Sequence, residues 1–235
     1  MPDPRPRPEP GVFLITGASS GIGAATARLA SEHGYRLVLA ARSKDKLDAL
    51  AAELGGPERA LAVVCDVTDF GQQEAMIATA IDAFGGIDVV WANAGFGAKR
   101  GFLEETPQLW RDMVLTNVLG CAYTIRAAIP ALKRSTGHLL LTSSVAGRRA
   151  LSGSLYSATK HAVTAMAESA RQDLDGTGIR VTSIEPGMVD TPFFDDRPTH
   201  ALQPEDIARA VIYAISQPPH VDVNEILIRP TAQPN

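Results

Sequence analysis

From Gly11 onward, short β-branched runs alternate with longer segments of helical periodicity. This alternation is typical of a parallel sheet, because parallel neighbours need a long crossover connection that is usually a helix. The chain shows no internal repeat and no dividing linker. We therefore predict a single α/β domain over residues 11–235, a doubly wound seven-stranded parallel sheet with helices on both faces. Strands are expected at 12–16, 36–41, 60–65, 87–92, 138–143, 179–184 and 225–229, and helices from the first glycine-rich turn to about 33 and at 44–54, 70–84, 107–133, 155–174 and 204–216.

The charge and cysteine content narrow the function classes. The formal net charge of −4 gives no basic field for nucleic acid. Cys65 and Cys121 lie in apolar runs without metal-ligand spacing, so we expect no metal site and a reducing, cytoplasmic location. No uninterrupted apolar run approaches the roughly 20 residues of a membrane span, and we expect no membrane segment. Residues 1–10 alternate proline with charge and are expected to form a disordered tail rather than a signal peptide.

A glycine-rich turn follows the first predicted strand and precedes a helix. Its glycines at Gly17, Gly21 and Gly23 are spaced G-x-x-x-G-x-G, which departs from the general dinucleotide pattern. A strand, a turn and a helix start in this order direct backbone N–H groups and a positive helix end at an anion. Glycines used only for the turn are the alternative. The context favours a phosphate-binding turn of a Rossmann-type fold.

The end of the second strand predicts the cofactor. Dinucleotide folds commonly place an acid there to bind the ribose, whereas an arginine accommodates a 2′-phosphate. Here the strand ends in Ala40-Ala41-Arg42-Ser43, without an acid at its tip. Arg42 would attract the phosphate and could stack on adenine, although an ordinary exposed arginine is the alternative. The pattern favours NADP(H) over NAD(H).

Tyr156 and Lys160 are four positions apart in a predicted helix and therefore lie on one face. The same face continues through Val163, Ala167, Ala170 and Leu174, an apolar stripe that would pack on a core. A cation beside a phenol favours the phenolate and lowers a pKa that is ordinarily about 10. The pair is thus a candidate acid/base, and two side chains that reach solvent are the alternative.

An asparagine lies within the apolar pattern of the long central helix. Trp110, Val114, Val118, Cys121 and Ile125 are predicted to form a buried stripe, and Asn117 lies on it. A buried amide needs hydrogen-bond partners, so Asn117 either satisfies backbone groups or holds a water near the lysine. Both interpretations stay open at this point.

Taken in order, the motifs resemble those of the short-chain dehydrogenase/reductase family, in its compact single-domain form. They are Thr16-Gly17-x-x-x-Gly21-Ile22-Gly23, Asp66-Val67, Asn93-Ala94-Gly95, Asn117, Ser143-Ser144-Val145-Ala146-Gly147, Tyr156-x-x-x-Lys160 and Pro186-Gly187-x-x-x-Thr191. The resemblance covers about Val12 to Arg229.

The resemblance implies a role for each motif residue. Ser144 would orient the substrate oxygen and Tyr156 would transfer the proton. Lys160 would hold the nicotinamide ribose and lower the tyrosine pKa, while Asn117 would position a relay water. The implied cofactor-binding residues are Gly17, Ser19, Ser20, Gly21, Ile22, Gly23, Arg42, Ser43, Asp66, Val67, Asn93, Ala94, Gly95, Tyr156, Lys160, Pro186, Gly187, Val189 and Thr191.

Three features depart from the family pattern. Ala92-Asn93 replaces the usual pair of asparagines, which should not abolish activity. The catalytic serine commonly stands one position further from the tyrosine than Ser144 does, so Ser143 is the alternative; we favour Ser144 because it directly precedes Val145-Ala146-Gly147. The substrate loop at about 191–203 is short, which would leave the pocket open.

The resemblance implies an enzyme that interconverts a secondary alcohol and its ketone or aldehyde. Residues 221–231 resemble the branch that contains NADP-dependent 3-hydroxy acid dehydrogenases, which makes a small hydroxy acid or keto ester a candidate substrate. A catalytically silent NADP-binding sensor or scaffold is the alternative. A sugar-nucleotide epimerase of the extended branch would need different glycine spacing and a C-terminal substrate domain.

Assembly and substrate contacts are expected from two further features. Relatives often pair the helices that carry Asn117 and Tyr156, and the small residues of the second helix permit close approach, so we expect a homotetramer or homodimer. Arg148 or Arg149 could clamp a substrate carboxylate beside Ser144. Alternatively, both arginines are solvated or pair with acids across a subunit interface.

Overall fold

The structure, a computed structural model, describes residues 11–193 and 198–233. The predicted tail, residues 1–10, lies outside the described residues. So do residues 194–197 of the predicted substrate loop and residues 234–235.

Within these described ranges the chain forms one seven-stranded sheet in which every pairing is parallel. Its spatial order is β3-β2-β1-β4-β5-β6-β7. The strands are β1 Val12–Thr16, β2 Arg36–Ala41, β3 Ala60–Val64, β4 Val89–Ala92, β5 His138–Thr142, β6 Arg180–Pro186 and β7 Glu225–Ile228. The predicted doubly wound parallel sheet is confirmed.

Helices cover both faces of the sheet. They are α1 Gly21–Glu32, α2 Lys44–Glu53, α3 Phe70–Phe84, α4 Pro107–Val114, α5 Cys121–Ser135, α6 Leu155–Asp173 and α7 Pro204–Ile215. A π-helical segment, Leu115–Gly120, joins α4 to α5, and a 3₁₀ turn, Val145–Gly147, follows β5. Helices α3, α5 and α6 pack on one face, while α1, α2 and α7 pack on the other.

The two cores follow from the period of two along each strand. In β1, Leu14 joins the core under α3, α5 and α6, whereas Phe13 and Ile15 join the core under α1, α2 and α7. All three side chains are fully buried. Burial of a side chain of this size contributes about 1.5–3 kcal/mol to the stability of the fold. Because helices cover both faces of the sheet, the central strands are continuous apolar runs and do not alternate between apolar and polar residues.

The strand order reverses beside β1, whose neighbours are β2 and β4. In doubly wound sheets a crevice opens outside the carboxyl ends of the strands at this point, because the following loops turn to opposite faces. The glycine-rich turn follows β1 and Asn93 follows β4, so both lie at the crevice.

The long central helix departs from the predicted stripe. Of the five residues predicted to be buried, only Cys121 is fully buried, and Val114 is 39% exposed. The buried positions are Met113, Asn117, Gly120, Cys121, Thr124, Ala128, Ala131 and Leu132. Positions 113, 117, 120, 124, 128 and 131 keep the 3.6-residue period of a helix, so the predicted stripe was displaced by about one position around the helix.

The helical stretch Pro107–Ser135 spans 29 residues and is long and apolar enough to cross a membrane by length and composition. The expectation concerned uninterrupted apolar runs, and this stretch is interrupted by Arg111, Asp112 and Arg126, so the absence of a membrane segment stays a prediction. Core helices of soluble proteins have the same length and composition. Here α5 packs on β4, β5 and α3 within the fold.

Candidate active site

A cavity of about 750 Å³ opens at the carboxyl ends of the strands, where the strand order reverses. The structure brings every predicted cofactor-binding residue to its wall: Gly17, Ser19, Ser20, Gly21, Ile22, Gly23, Arg42, Ser43, Asp66, Val67, Asn93, Ala94, Gly95, Tyr156, Lys160, Pro186, Gly187, Val189 and Thr191. Ser144 also lines it, whereas Asn117 lies behind the wall.

The glycine-rich turn has no room for side chains at two positions. Gly17 adopts a φ of 68°, in the left-handed region, and a Cβ there would lie 2.9 Å from Ala94 Cα. A Cβ on Gly23 would lie 2.4 Å from the Gly17 carbonyl oxygen. The turn is thus a close-packed cradle, and the first N–H groups of α1 lack partners within the helix. Such a helix start suits a phosphate.

The end of β2 presents a cation rather than an acid. Arg42 and Ser43 are exposed and line the cavity, and α2 begins directly after them at Lys44. Further along the wall, the Asp66 carboxylate accepts hydrogen bonds from Thr68 N at 2.9 Å and Thr68 Oγ1 at 2.8 Å. These contacts shape the turn after β3 and leave Val67 mostly buried.

Asn93 joins the ends of three strands. Its Nδ2 donates to the Thr16 carbonyl of β1 at 3.0 Å, and its Oδ1 accepts from Thr142 Oγ1 of β5 at 3.1 Å. Thr16 Oγ1 in turn accepts from the backbone N–H of Asn93 at 3.0 Å. The loop that follows β4 is therefore held close to the glycine-rich turn.

Ser144, Tyr156 and Lys160 converge on the cavity from two elements. Ser144 precedes the 3₁₀ turn, its Oγ donates to the Pro186 carbonyl at 3.2 Å, and it lines the cavity together with Tyr156. Tyr156 lies in the first turn of α6, whose N-terminus is capped by Ser154. Lys160 Nζ donates to the Thr142 carbonyl at 2.7 Å and lies 5.6 Å from the centroid of the Tyr156 ring.

Burial controls the pKa of both titratable groups. It raises the pKa of the Tyr156 phenol, and the Ser144 side chain offsets part of that rise. It lowers the pKa of the Lys160 ammonium to about 8. The predicted lowering of the tyrosine pKa by Lys160 is therefore wrong for the chain alone, because desolvation of the phenol outweighs a cation that is not in contact with its oxygen.

The two candidate serines point to different partners. Ser143 Oγ donates to the Lys160 carbonyl at 3.0 Å and pairs with Thr164 Oγ1 at 2.6 Å, so it fastens the strand end to α6. Ser144 Oγ instead donates to the Pro186 carbonyl at 3.2 Å, and of the two serines it is Ser144 that lowers the pKa of the Tyr156 phenol and so offsets part of the effect of burial. This geometry favours Ser144 as the serine that meets a substrate.

The buried Asn117 amide satisfies backbone groups. Its Oδ1 accepts from the Phe96 N–H at 3.0 Å, and its Nδ2 donates to the Phe96 carbonyl at 2.9 Å and to Thr159 Oγ1 at 3.2 Å. A Cβ on Gly95 would lie 3.0 Å from Asn117 Oδ1 and 3.7 Å from Lys160 Nζ. Asn117 thus braces the loop beside Lys160, and its role in a water relay stays a prediction.

The two arginines after the serine motif differ in position. Arg148 pairs with Glu185 through Nε to Oε2 at 2.6 Å and Nη2 to Oε1 at 2.9 Å, and it also pairs with Glu225. It does not line the cavity, so the prediction that it clamps a substrate is wrong. The two carboxylates that pair with Arg148 belong to the same chain, whereas the alternative prediction placed them across a subunit interface. Arg149 lines the cavity.

The sequence analysis missed the apolar part of the cavity wall. Phe96, Leu151, Met188 and Phe193 lie on three loops, the last two on the connection between β6 and α7, and all four line the cavity. The Phe193 ring packs edge-on against Tyr156 with centroids 5.6 Å apart, and the C-terminal Gln233 accepts from the Met188 N–H at 2.9 Å. The only sequence signal for these residues is their position directly after the glycine and threonine motifs.

The chain is similar to known oxidoreductases along nearly all of its length. A family model described as short chain dehydrogenase matches residues 11–201. An uncharacterized oxidoreductase of Staphylococcus aureus (strain MRSA252) is 41% identical over 224 residues, which cover 93% of this chain and 96% of that protein.

Two solved structures share the fold closely. The alcohol dehydrogenase of the archaeon Thermococcus sibiricus complexed with 5-hydroxy-NADP superposes with a TM-score of 0.89 at 32% identity, covering 97% of this chain and 99% of that one. The closed form of a serine dehydrogenase complexed with NADP+ gives a TM-score of 0.88 at 29% identity, with 95% and 96% coverage.

Proposed function

The chain belongs to the short-chain dehydrogenase family of oxidoreductases, and from this premise we propose that it is an NADP(H)-dependent enzyme that interconverts a secondary alcohol and its ketone or aldehyde. One observation carries the proposal. The Ser144 and Tyr156 side chains line the same cavity as Lys160 and the glycine-rich turn. A proton donor and a phosphate cradle thus share one cavity.

The residues present fit a nicotinamide dinucleotide. The closely packed Gly17 and Gly23 and the start of α1 would hold the pyrophosphate, while Asp66 and Val67 would flank adenine. Lys160 would hold the nicotinamide ribose, and Thr191 would reach the carboxamide. When bound, the cofactor supplies the hydride chemistry, and the protein supplies orientation and the proton.

Tyr156 acts as the acid in the direction of carbonyl reduction. Burial keeps its phenol protonated at neutral pH, because the pKa is raised rather than lowered. Ser144 donates a hydrogen bond to the substrate oxygen and holds it beside the phenol. The Lys160 ammonium, with a pKa of about 8, is mostly charged at neutral pH and favours the phenolate that remains after proton transfer.

NADP(H) is the preferred cofactor in this proposal. Arg42 at the end of β2 offers a guanidinium for a 2′-phosphate, and no acid at Ala41 repels one. Both similar solved structures named above hold ligands of the NADP type, which supports the same preference.

The substrate is proposed to be a carbonyl compound with an apolar body. Phe96, Leu151, Met188 and Phe193 form an apolar wall next to Tyr156, and Arg149 adds a cation at the same cavity. A small hydroxy acid or keto ester therefore remains a candidate, in keeping with the resemblance of residues 221–231.

The assay that tests the proposal is NADPH oxidation with a panel of ketones and aldehydes. We expect turnover by the unmodified enzyme. Tyr156→Phe should still bind NADPH but lose about 10²–10⁴-fold in kcat, the range typical of a general acid. If NADPH bound tightly and the panel gave no turnover, the chain would be a sensor or scaffold. If Tyr156→Phe kept near-normal turnover, another group would supply the proton.

A further inference from the structure

The turn that carries Ser144 is tied to the sheet at its far end by Arg148. This residue directly follows the 3₁₀ turn Val145–Gly147. Its guanidinium makes two parallel hydrogen bonds to Glu185 of β6, Nε to Oε2 at 2.6 Å and Nη2 to Oε1 at 2.9 Å. Nη2 also pairs with Glu225 at the start of β7. Such a fork holds both distance and orientation, which a single ion pair does not.

Glu185 requires this cation. Its side chain is fully buried within β6, and its other hydrogen bond comes from Ser183 Oγ at 2.9 Å. A buried carboxylate without a positive partner is strongly unfavourable, because one hydroxyl does not replace its lost hydration. The Arg148 side chain is 38% exposed, so the pair stands at the boundary between core and solvent. Glu185 is therefore the buried partner of the pair, and Arg148 is the partner that solvent can reach.

The near end of the same turn is tied to the next residue of β6. Ser144 Oγ donates to the Pro186 carbonyl at 3.2 Å, so the consecutive residues Glu185 and Pro186 hold both ends of the turn. Tyr156 belongs to α6, which packs on β6 and on the 3₁₀ turn, and Thr164 of α6 donates to the Gly147 carbonyl at 3.5 Å. Among the described residues, however, Arg148 and Ser144 are the side chains that tie the two ends of the turn to β6, so the distance between the Ser144 hydroxyl and the Tyr156 phenol depends in part on how firmly the turn is held to β6.

We propose that Arg148 is a positioning residue, which through Glu185 and Glu225 sets the Ser144 hydroxyl in register with the Tyr156 phenol. This inference rests on the proposed function. It replaces the predicted contact between Arg148 and substrate with an action through Ser144. A displacement of the orienting group by about 1 Å can lower turnover by about 10²-fold, so a loosened turn should lower kcat.

The proposal predicts that loss of the Arg148 side chain affects turnover but not cofactor binding. The glycine-rich turn, Arg42 and Asp66 belong to loops after β1, β2 and β3, and none of them forms a hydrogen bond or ion pair with Arg148 in the described part of the chain. Pro186 and Gly187 directly follow Glu185, but their backbone is held by the pairing with β7. Loss of the Arg148 side chain should therefore reduce kcat while the Kd for NADPH is unchanged. A general loss of folding would weaken both.

Arg171 provides a matched control. It lies in the last turn of α6, 3.8 Å from Glu225, and donates to the Asn224 carbonyl at 3.3 Å. It thus shares an acid with Arg148 without touching the turn after Ser144. Arg171→Ala should lower the unfolding temperature but leave kcat unchanged.

The experiment compares Arg148→Ala, Arg148→Lys and Arg171→Ala with the unmodified enzyme, measuring kcat, the Kd for NADPH and the unfolding temperature. We expect Arg148→Ala to lose about 10- to 100-fold in kcat with unchanged NADPH affinity. The kcat of Arg148→Lys should lie between those of Arg148→Ala and the unmodified enzyme, because an ammonium keeps the charge but cannot form the two parallel hydrogen bonds. Millimolar guanidinium should restore part of the kcat of Arg148→Ala, since the site is open to solvent, and should not affect Arg171→Ala.

Several outcomes would overturn the inference. These are an unchanged kcat in Arg148→Ala, a parallel fall in kcat and NADPH affinity, or an equal kcat loss in Arg171→Ala without guanidinium rescue. If Arg148→Ala fails to fold, the kcat values of Arg148→Lys and Glu185→Gln test the proposal in its place. Both should be lowered, and a normal kcat in both would contradict the proposal. An unmodified enzyme inactive on every carbonyl would count against the proposed function instead. In that case a crystal structure of Arg148→Ala decides, because an unchanged Ser144–Tyr156 separation would refute the positioning role.

Discussion

The two adjacent serines after β5 have separate partners, although they differ by one position in the sequence. Ser143 holds the Lys160 carbonyl and Thr164, whereas Ser144 holds the Pro186 carbonyl and meets Tyr156. Both serines line the cavity, but the Ser143 hydroxyl is held between the Lys160 carbonyl and Thr164, whereas the Ser144 hydroxyl donates one longer bond, to a carbonyl. These contacts favour packing as the role of Ser143 and support Ser144 as the serine that would meet a substrate.

Single alanine substitutions should separate these serines. Ser144→Ala should lower kcat on the order of 10²-fold, because a preorganised donor to the substrate oxygen is lost. Ser143→Ala should leave kcat nearly unchanged and lower the free energy of unfolding by about 1 kcal/mol, the usual contribution of a hydrogen bond. Steady-state kinetics and urea unfolding of both variants check this. The reverse pattern would make Ser143 the catalytic serine.

The proposed preference for NADP(H) also depends on single residues, at the end of β2. Arg42→Ile should weaken NADPH binding by about 10- to 100-fold, the loss expected for a charge-assisted contact to a phosphate, and leave NADH affinity unchanged. Adding Ala41→Asp should then favour NADH, since a carboxylate can bind the ribose hydroxyls. Fluorescence titration with both cofactors measures the two constants. Equal use of NADH and NADPH by the unmodified enzyme would contradict this interpretation of the strand end.

At the scale of elements, the helix from α4 through the π segment to α5 has an apolar surface that residues 11–193 and 198–233 do not cover. Val114 and Leu119 are exposed by 39% and 36%. A groove of about 890 Å³ lies between α3, α5 and α6, and Ile125, Ile129 and Met166 line it. Apolar area of this kind on helices that neighbour one another suits a self-complementary contact with a second copy. We propose a homodimer or homotetramer formed through this face.

A charge on this face should weaken assembly. Leu119→Lys should shift the mass in solution toward that of one 24.9 kDa chain, because a lysine at the centre of an apolar contact must lose its hydration. The matched control is Val64→Lys, since Val64 is a 52% exposed apolar residue on the edge strand β3, outside this face. It should not change the mass. Light scattering at micromolar concentration measures both, and a strictly monomeric unmodified protein would refute the proposal.

For the molecule as a whole, the buried Lys160 links stability to pH. Its pKa falls from 10.5 to about 8 on folding, so between these values the unfolded chain holds a proton that the folded chain has lost. Stability attributable to this group must therefore rise with pH through that window and stay constant below it.

Lys160→Met isolates this contribution. Between pH 7 and about 9.5, the unmodified protein should gain on the order of 2 kcal/mol in free energy of unfolding relative to the variant. Cys65, Cys121 and Tyr156 also titrate in the alkaline range, and the comparison largely cancels their effects because both proteins contain them. Urea unfolding at several pH values measures the difference. A difference that did not vary with pH would show that the ammonium is solvated in the folded protein.

The amino-acid sequence by itself determined the elements and the positions of the motifs. The period of two in β1 and the stripe from Lys160 to Ala170 in α6 are local patterns, and local patterns follow directly from residue spacing. The motif residues reach the cavity because each stands at the carboxyl end of a strand, or at a helix start, of a sheet whose topology was already implied. Strand ends shifted by only one or two residues, as where β6 continues through Glu185 and Pro186.

Only the tertiary structure decided which distant side chains meet. The buried face of the central helix lies about one position away from the predicted stripe, since apolar residues on both sides of a helix leave its rotation to be set by the elements that pack on it. The partners of Arg148 lie 37 and 77 positions further along the chain, so no local pattern could show that its charge is used inside the protein. The pKa shifts of Tyr156 and Lys160 likewise follow from burial, which depends on packing from all sides and not on the four positions that separate them.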